Sequence, residues 1–286
     1  MSEAVLYDVQ GPKAKRRVLV VSLIGVVLLL ALLALAVQRL ADNGQLEYEK
    51  VEPFLTEPLL YERLWEGLRN TLQAAAYALV LALVLGVVLA FGRLSQQWFV
   101  RLPAVGIIEF FRGVPLLLLI LGLFLAYPQV TGSRLPALWA LVIGLTLYNG
   151  AVIAEIVRAG ILSIPKGQSE AAYAIGLGRG ATLRLVLVPQ AVRVMLPALI
   201  SQLVVLLKDT SLGFVIGYAE LLRISGRLVQ TLDNPIQMYV AVALVYIVIN
   251  SCLSALAGYV ERRQRRTSAA TAVPAALAPT TTGAVL

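Results

Sequence analysis

Six long apolar stretches, separated by polar segments, dominate the hydrophobic pattern of the chain. A helix needs about 20 mainly apolar residues to cross the hydrocarbon core of a bilayer, and each of these stretches reaches or approaches that length. The pattern therefore predicts an all-α integral membrane protein with six transmembrane helices. The predicted spans cover residues 18–37, 71–92, 113–128, 135–154, 194–219 and 235–260.

The first apolar stretch follows a basic segment, residues 1–17, whose lysines and arginines all fall between positions 13 and 17. Such a segment can precede either a cleaved signal peptide or a retained span. The apolar region of a signal peptide is about 7–15 residues long, whereas residues 18–37 are uncharged throughout and no clear small-residue cleavage site follows them. We therefore interpret residues 18–37 as a retained first span.

Charge is distributed unevenly among the segments between the spans. Although 59% of the 286 residues are apolar and 14% are charged, the net charge is +8, and basic residues in short loops mark the cytoplasmic side of a membrane. Lysine and arginine concentrate before the first span and after the second, fourth and sixth, whereas residues 38–66 are mainly acidic. This predicts a multi-pass protein of the cell membrane with both termini cytoplasmic and an extracellular connection at 38–66. Topology accounts for the positive charge, so no nucleic-acid partner is expected.

Histidine is absent from the chain, and cysteine occurs once, at Cys252. The usual general base and the usual zinc ligand are therefore missing, and a single cysteine cannot form an internal disulfide. We predict neither a catalytic residue nor a metal ligand, so the chain is not expected to be an enzyme.

The longest predicted cytoplasmic loop, residues 163–190, has the most unusual sequence. Residues 169–175 are strong helix formers and are followed by Gly176, a residue typical of helix C-termini. After a glycine-rich turn, a second apolar stretch runs into Pro189. The pattern predicts two short helices joined by a turn at the membrane face, a compact surface that suits a partner protein.

Two charge pairs lie close to predicted span ends. Glu109 and Arg112, and likewise Glu155 and Arg158, are three residues apart and so share a helix face. Ionisable groups near the hydrocarbon are costly, so each pair needs an explanation. The pairs either neutralise each other at the interface or belong to a gate or to a junction that transmits movement of the loop at 163–190.

Three polar residues occur inside predicted spans. Lys208 and Asp209 interrupt the fifth span, and adjacent residues on a helix do not face each other. Asp209 either caps a helix break together with Thr210 and Ser211, or the broken region lines a translocation pathway, where polar backbone is tolerated. Asn149 is likewise either an interhelical contact or part of that pathway.

The loop sequence resembles the EAA loop of bacterial ABC importer permeases, whose pattern is E-A-A-x3-G-x9-I-x-L-P. Glu170, Ala171, Ala172, Gly176 and Pro189 match it, and valines replace the isoleucine and the leucine. Segments 67–72, 108–115, 148–161 and 206–212 are similar to the polar amino-acid subfamily. Residues 5–13 and the additional first span further resemble actinobacterial glutamate permease subunits.

This resemblance implies a type I ABC importer permease fold, with a five-helix core in residues 67–260, an additional N-terminal span and a disordered cytoplasmic tail at 261–286. It implies that the loop at 163–190 is the coupling loop, which docks on an ATPase subunit, and that the complex contains two such subunits. A second permease subunit, homologous or identical, and an extracellular amino-acid-binding protein complete the complex. The chain has no G-x-x-x-x-G-K-[ST] motif. We therefore expect no cofactor on this chain, and the partner ATPase is expected to use the ATP and magnesium.

The implied function is ATP-driven import of glutamate or another polar amino acid. One alternative is an ATP-independent secondary transporter or channel, which would work without ATPase partners and without the loop. A second alternative is a membrane scaffold that transports nothing. Replacement of Glu170 or Gly176 distinguishes these functions, because only the importer requires the loop for transport.

Overall fold

The computed structural model of the chain describes residues 11–271, and every regular element within them is helical. A π-helical turn, Leu183–Leu187, precedes α10, and a 3₁₀ helix, Thr210–Phe214, follows it. The helices are α1 (Pro12–Asp42), α2 (Tyr48–Val51), α3 (Pro53–Thr56), α4 (Pro58–Leu94), α5 (Trp98–Gly113), α6 (Leu116–Thr131), α7 (Ala137–Leu162), α8 (Lys166–Ala174), α9 (Arg179–Thr182), α10 (Val188–Asp209), α11 (Leu221–Leu232) and α12 (Pro235–Thr271).

The described helices supply five candidate membrane crossings, or six if a bent helix pair counts as one span. Five segments of the described chain are long and apolar enough to span a bilayer, and they contain α1, α4, α7, α10 and α12. Helices α5 and α6 form a sixth candidate, bent by 98° at the break between them. Pro115 lies in that break and precedes the first turn of α6, where its missing N–H costs no helical hydrogen bond.

The helices differ in extent from several of the predicted segments. The predicted second span, 71–92, lies within a helix that begins at Pro58. The fifth span, predicted at 194–219, is α10, which begins at Val188 and ends at Asp209. Pro189 is accommodated because the first turn of a helix does not require its N–H. The tail predicted as disordered from residue 261 is helical as far as Thr271, and its residues 272–286, like residues 1–10, lie outside the described residues.

The centre of the molecule is the contact between α4 and α7. A Cβ atom at Gly86 would lie 2.6 Å from Cγ2 of Ile153 and 2.9 Å from the carbonyl oxygen of Gly150. Small residues allow transmembrane helices to approach this closely. On α4 they recur every four residues and are fully or almost fully buried: Ala74, Ala78, Ala82, Gly86 and Ala90.

The segment after the 3₁₀ helix folds back onto α4. The side-chain amide of Asn70 donates to the carbonyl of Ala219 at 2.8 Å, and Tyr218 Oη donates to the carbonyl of Asn70 at 2.9 Å. The backbone N–H of Leu221 donates to Thr71 Oγ1 at 3.1 Å. These bonds satisfy polar groups that would be costly to bury unpaired, and they fix the start of α11 against α4.

Candidate functional site

The first candidate site is the helix–turn–helix element formed by α8, α9 and the π-helical turn. Helix α8 ends in a Schellman motif, in which Gly176 N–H donates to the carbonyl of Tyr173 at 2.9 Å and Leu177 N–H to that of Ala172 at 3.1 Å. Gly176 has φ +84°, a conformation that residues with a Cβ atom adopt only under strain. The spacing of Ala172 and Gly176 therefore has a structural cause. The carbonyl of Ala172 and the left-handed conformation of Gly176 both belong to the Schellman motif that ends α8.

The return half of this element is continuous with α10. Pro189 has no N–H, and the π-helical turn directly precedes it. The side-chain amide of Gln190 donates both to the carbonyl of Val186 and to Gln168 Oε1, each at 3.0 Å. The second bond connects α8 to the base of α10, so movement of α8 has a direct contact through which it can reach this span.

The outer surface of α8 is open to a partner. Glu170 and Ala171 are exposed, whereas Ala172 is buried beneath them. Ile175 at the end of the helix is 79% exposed and Tyr173 is 48% exposed. An exposed carboxylate beside exposed apolar side chains suits a protein contact of mixed character.

A cluster of five charged residues joins three helix ends. Arg93, at the end of α4, places Nη1 2.9 Å from Glu109 Oε1 on α5 and 2.9 Å from Glu155 Oε1 on α7. Arg158 Nε donates to Glu155 Oε2 at 3.2 Å, while Arg112 Nη1 lies 4.0 Å from Glu109 Oε2. The two predicted pairs thus belong to one ion-pair cluster, and sequence reasoning missed Arg93, which connects them.

The interruption predicted at Lys208 and Asp209 is a genuine helix end. Helix α10 stops at Asp209 and the chain tightens into the 3₁₀ helix, but the Asp209 side chain does not cap it. The hydroxyls of Thr210 and Ser211 instead donate to the carbonyls of Leu207 and Lys208, at 2.6 and 2.8 Å. The capping role considered for Asp209 is therefore wrong, because local hydroxyl–carbonyl bonds occupy this turn.

Lys208 lies at the edge of a groove between α10, α11 and α12, the second candidate site. The groove has a volume of about 950 Å³ and its wall is largely apolar. It extends along α12 from Tyr239 to Ser254, a length of about 22 Å at 1.5 Å per residue. Lys208, Ser211 and Asn250 are among the polar residues that line it, and Lys208 is exposed.

Asn149 lies elsewhere. Its side chain is fully buried between α7 and α10, where it donates to the carbonyl of Leu145 at 2.9 Å and accepts from Gln202 Nε2 at 2.7 Å. This is the geometry of an interhelical contact. Asn149 therefore makes the interhelical contact that was one of its two predicted roles, and it does not line the groove beside Lys208.

Glu220 is a buried residue that sequence reasoning missed. It precedes α11, and its carboxylate accepts the backbone N–H of Leu222 at 2.8 Å and that of Arg223 at 2.6 Å. Tyr246, which lines the groove, donates its hydroxyl to Glu220 at 3.1 Å. Burial raises the pKa of Glu220, although the hydrogen bonds and the Arg223 charge oppose that shift. An acidic residue just before an amphipathic helix is a recognisable N-cap signal, but its burial depends on tertiary contacts.

Comparison with known proteins identifies similar chains. Residues 71–266 match the family described as binding-protein-dependent transport system inner membrane component. The glutamate transport system permease protein of Corynebacterium glutamicum is 44% identical over 229 residues, covering 79% of this chain and 84% of that protein. The glutamine transport system permease protein of Escherichia coli K12 is 35% identical over 222 residues, covering 77% of this chain and 99% of that protein.

Solved structures with the same fold are also found. The crystal structure of an amino acid ABC transporter with histidines superposes with a TM-score of 0.70 at 32% identity, covering 73% of this chain and 98% of that chain. An inward-facing methionine ABC transporter superposes with a TM-score of 0.59 at 23% identity, a likeness that concerns the fold alone.

Proposed function

Because the chain belongs to the family of binding-protein-dependent transport system inner membrane components, we propose that it is the glutamate-conducting permease subunit of an ATP-driven importer. Relatives that carry glutamate, glutamine and arginine in their names place it among amino-acid ABC permeases. The likeness to the glutamate permease protein, 44% identical, supports glutamate as the substrate. The chain itself hydrolyses no ATP in this proposal, and partner ATPase subunits supply the energy.

The observation that carries the proposal is the exposed α8 with its Schellman end. Glu170 and Ala171 face outward, and the left-handed Gly176 sets the direction in which the chain returns to α10. Two ATPase subunits dock on this surface in the assembled complex, one on each permease. When they close on ATP, α8 moves, and the bond between Gln168 and Gln190 transmits the movement to α10.

The groove beside Lys208 is the proposed translocation surface of this subunit. Glutamate carries two carboxylates and one ammonium, so a cation in a mainly apolar wall favours it electrostatically. The groove is open on one side, and a second permease subunit, identical or homologous, covers it. Asp209 and Asn149 serve to shape the adjoining helices in this scheme, and neither is proposed to bind substrate.

The proposed orientation places both termini and α8 in the cytoplasm. Basic residues precede α1 and surround α8, whereas the connection that contains α2 and α3 is acidic. An extracellular binding protein therefore delivers the amino acid to the side that carries α2, α3 and α11.

The proposal is tested with the complete complex in proteoliposomes, supplied with ATPase subunits and binding protein. Uptake of radiolabelled glutamate should require ATP, and Glu170→Ala should abolish it while the amount of membrane-inserted chain stays unchanged. Glu62→Ala is the matched control, since Glu62 is also exposed but lies near the start of α4, outside the loop that contains α8. Full glutamate uptake without ATPase subunits would instead establish a secondary transporter or channel.

The role of Lys208 is tested in the same system. Lys208→Gln should reduce the uptake of glutamate more than it reduces the binding of glutamate to the extracellular binding protein. Lys208→Arg should retain most of the uptake rate because it keeps the charge. Ser254→Ala, at the other end of the groove, is the control for a change in the wall without a change in charge. Equal rates for Lys208→Gln and the unmodified protein would contradict a substrate role.

A further inference from the structure

Helix α1 differs from every other long helix because none of its residues is buried. All four of its first cations, Lys13, Lys15, Arg16 and Arg17, are exposed, and the uncharged apolar stretch begins directly at Val18. No acidic residue occurs between positions 11 and 37. Glu3 and Asp8 precede the cluster and lie outside the described residues. The helix thus has a sharp border between a cationic end and an apolar body.

The cations of this end do not all point the same way. Arg16 and Arg17 follow Lys13 by three and four residues and lie on the same side of the helix, which continues into Val20 and Val21. These five residues border a shallow surface groove of about 460 Å³ that is formed by the side chains of this one helix. Lys15 is about 200° around the helix from Lys13 at 3.6 residues per turn, and it does not line the groove.

We propose that this face of α1, defined by Lys13, Arg16, Arg17, Val20 and Val21, binds an anionic phospholipid. The two guanidinium groups and the ammonium contact the phosphate and the anionic headgroup, a pairing for which arginine geometry is well suited. The two valines contact the adjoining acyl chain. The inference concerns a segment outside the matched family region 71–266, and it requires only that α1 crosses the membrane.

The position of the three cations directly beside the two valines favours a lipid over a soluble anion. A phospholipid presents negative charge and hydrocarbon within a few ångströms, the same order in which the groove presents Arg17 and Val20. A soluble phosphate would use the cations alone and leave the apolar half of the groove uncovered. Basic residues that immediately flank a transmembrane helix each contribute about 1 kcal/mol to attraction toward an anionic membrane surface.

The test measures lipid preference in the purified full-length chain. A fluorescent phosphatidylglycerol is titrated against the protein in neutral detergent, and a fluorescent phosphatidylcholine serves as the uncharged comparison. Lys13→Gln should weaken phosphatidylglycerol binding by about fivefold, the equivalent of about 1 kcal/mol. Lys15→Gln is the matched control, because it removes the same charge from a residue that does not line the groove, and it should weaken binding less than Lys13→Gln does.

The double variant R16Q/R17Q should weaken binding further while far-ultraviolet circular dichroism and the size-exclusion profile remain unchanged. Equal effects of Lys13→Gln and Lys15→Gln would overturn the proposed face. Equal affinity for both lipids, or displacement by inorganic phosphate as effective as by unlabelled phosphatidylglycerol, would overturn the proposed ligand. An intact mass that lacks α1 would overturn the site itself.

Discussion

The α4–α7 contact and the α8 loop both depend on glycine, but for opposite physical reasons. Gly86 is needed for space, because a Cβ atom there would lie 2.6 Å from Ile153 Cγ2. Gly176 has open space around the position of a Cβ atom, and it is needed for its φ of +84°. The first glycine holds two spans together, whereas the second directs a surface loop. We therefore expect substitutions at these two glycines to separate folding from the proposed energy coupling.

The largest effect is expected at Gly86. Gly86→Val would force the side chain into Ile153 and the backbone of Gly150, and overpacking of this kind costs roughly 1–3 kcal/mol, occasionally more. We expect a large drop in the temperature at which the detergent-purified protein aggregates. Gly122→Val is the matched control, since Gly122 is also helical but has no atom within 4 Å of its Cβ position. Equal losses for both variants would contradict the importance of the close contact.

A smaller loss is expected at Arg93, which extends the α4–α7 contact by charge. Arg93→Gln leaves Glu109 and Glu155 without their shared partner, and the partly buried position of Arg93 suggests a cost of about 1–2 kcal/mol. Arg63→Gln on the same helix removes an exposed pair with Glu66 and should cost less than about 1 kcal/mol. Thermal unfolding of the two variants measures the difference. Equal stability would show that the cluster adds nothing to the packed core.

The smallest stability effect is expected at Glu220 and depends on pH. Burial raises the pKa of Glu220 above its usual value of 4.5, so the folded chain favours the protonated form more than the unfolded chain does. The stability that this group contributes is present at low pH and is lost as pH rises from 4.5 through the raised pKa. Glu220→Gln should flatten that decline in thermal unfolding measured across pH, whereas Glu62→Gln should leave it unchanged. If the stability of Glu220→Gln declined with pH as steeply as that of the unmodified chain, groups other than Glu220 would be responsible for the decline.

Sequence reasoning succeeded where the signal was local. The all-α membrane fold and the importer family follow from hydrophobic stretches and from the motif around Glu170, and both are confirmed. Gly176 was expected to close a helix, and it does, because the Schellman motif involves only residues that are close in the chain. The end of α10 near Lys208 was anticipated from a charge inside an apolar stretch.

Contacts between segments that are distant in the sequence could not be predicted in this way. Arg93 was counted as a topology signal, because pairing at three or four residues along one helix cannot reveal a bridge from α4 to α5 and α7. Glu220 was missed because its burial depends on Tyr246 and on the fold of α11. The extension of α4 from the predicted second span back to Pro58 was not predicted, since the polar residues before 71 break the hydrophobic pattern without breaking the helix. The predicted functional roles of Lys208 and Glu170 remain predictions.

The most direct test of the account compares Gly176→Val with Gly178→Val. Gly178 has φ −68° and no atom within 4 Å of its Cβ position, so valine fits there, whereas left-handed strain at position 176 costs at least about 1–2 kcal/mol. ATP-dependent glutamate uptake by the reconstituted complex should fall about tenfold or more in Gly176→Val and remain near the unmodified rate in Gly178→Val, a difference that corresponds to about 1.4 kcal/mol or more. Both variants should insert into the membrane in the same amount as the unmodified chain, because neither position has an atom within 4 Å of its Cβ position. Undiminished uptake in Gly176→Val would contradict the claim that the α8 loop couples ATP hydrolysis to transport.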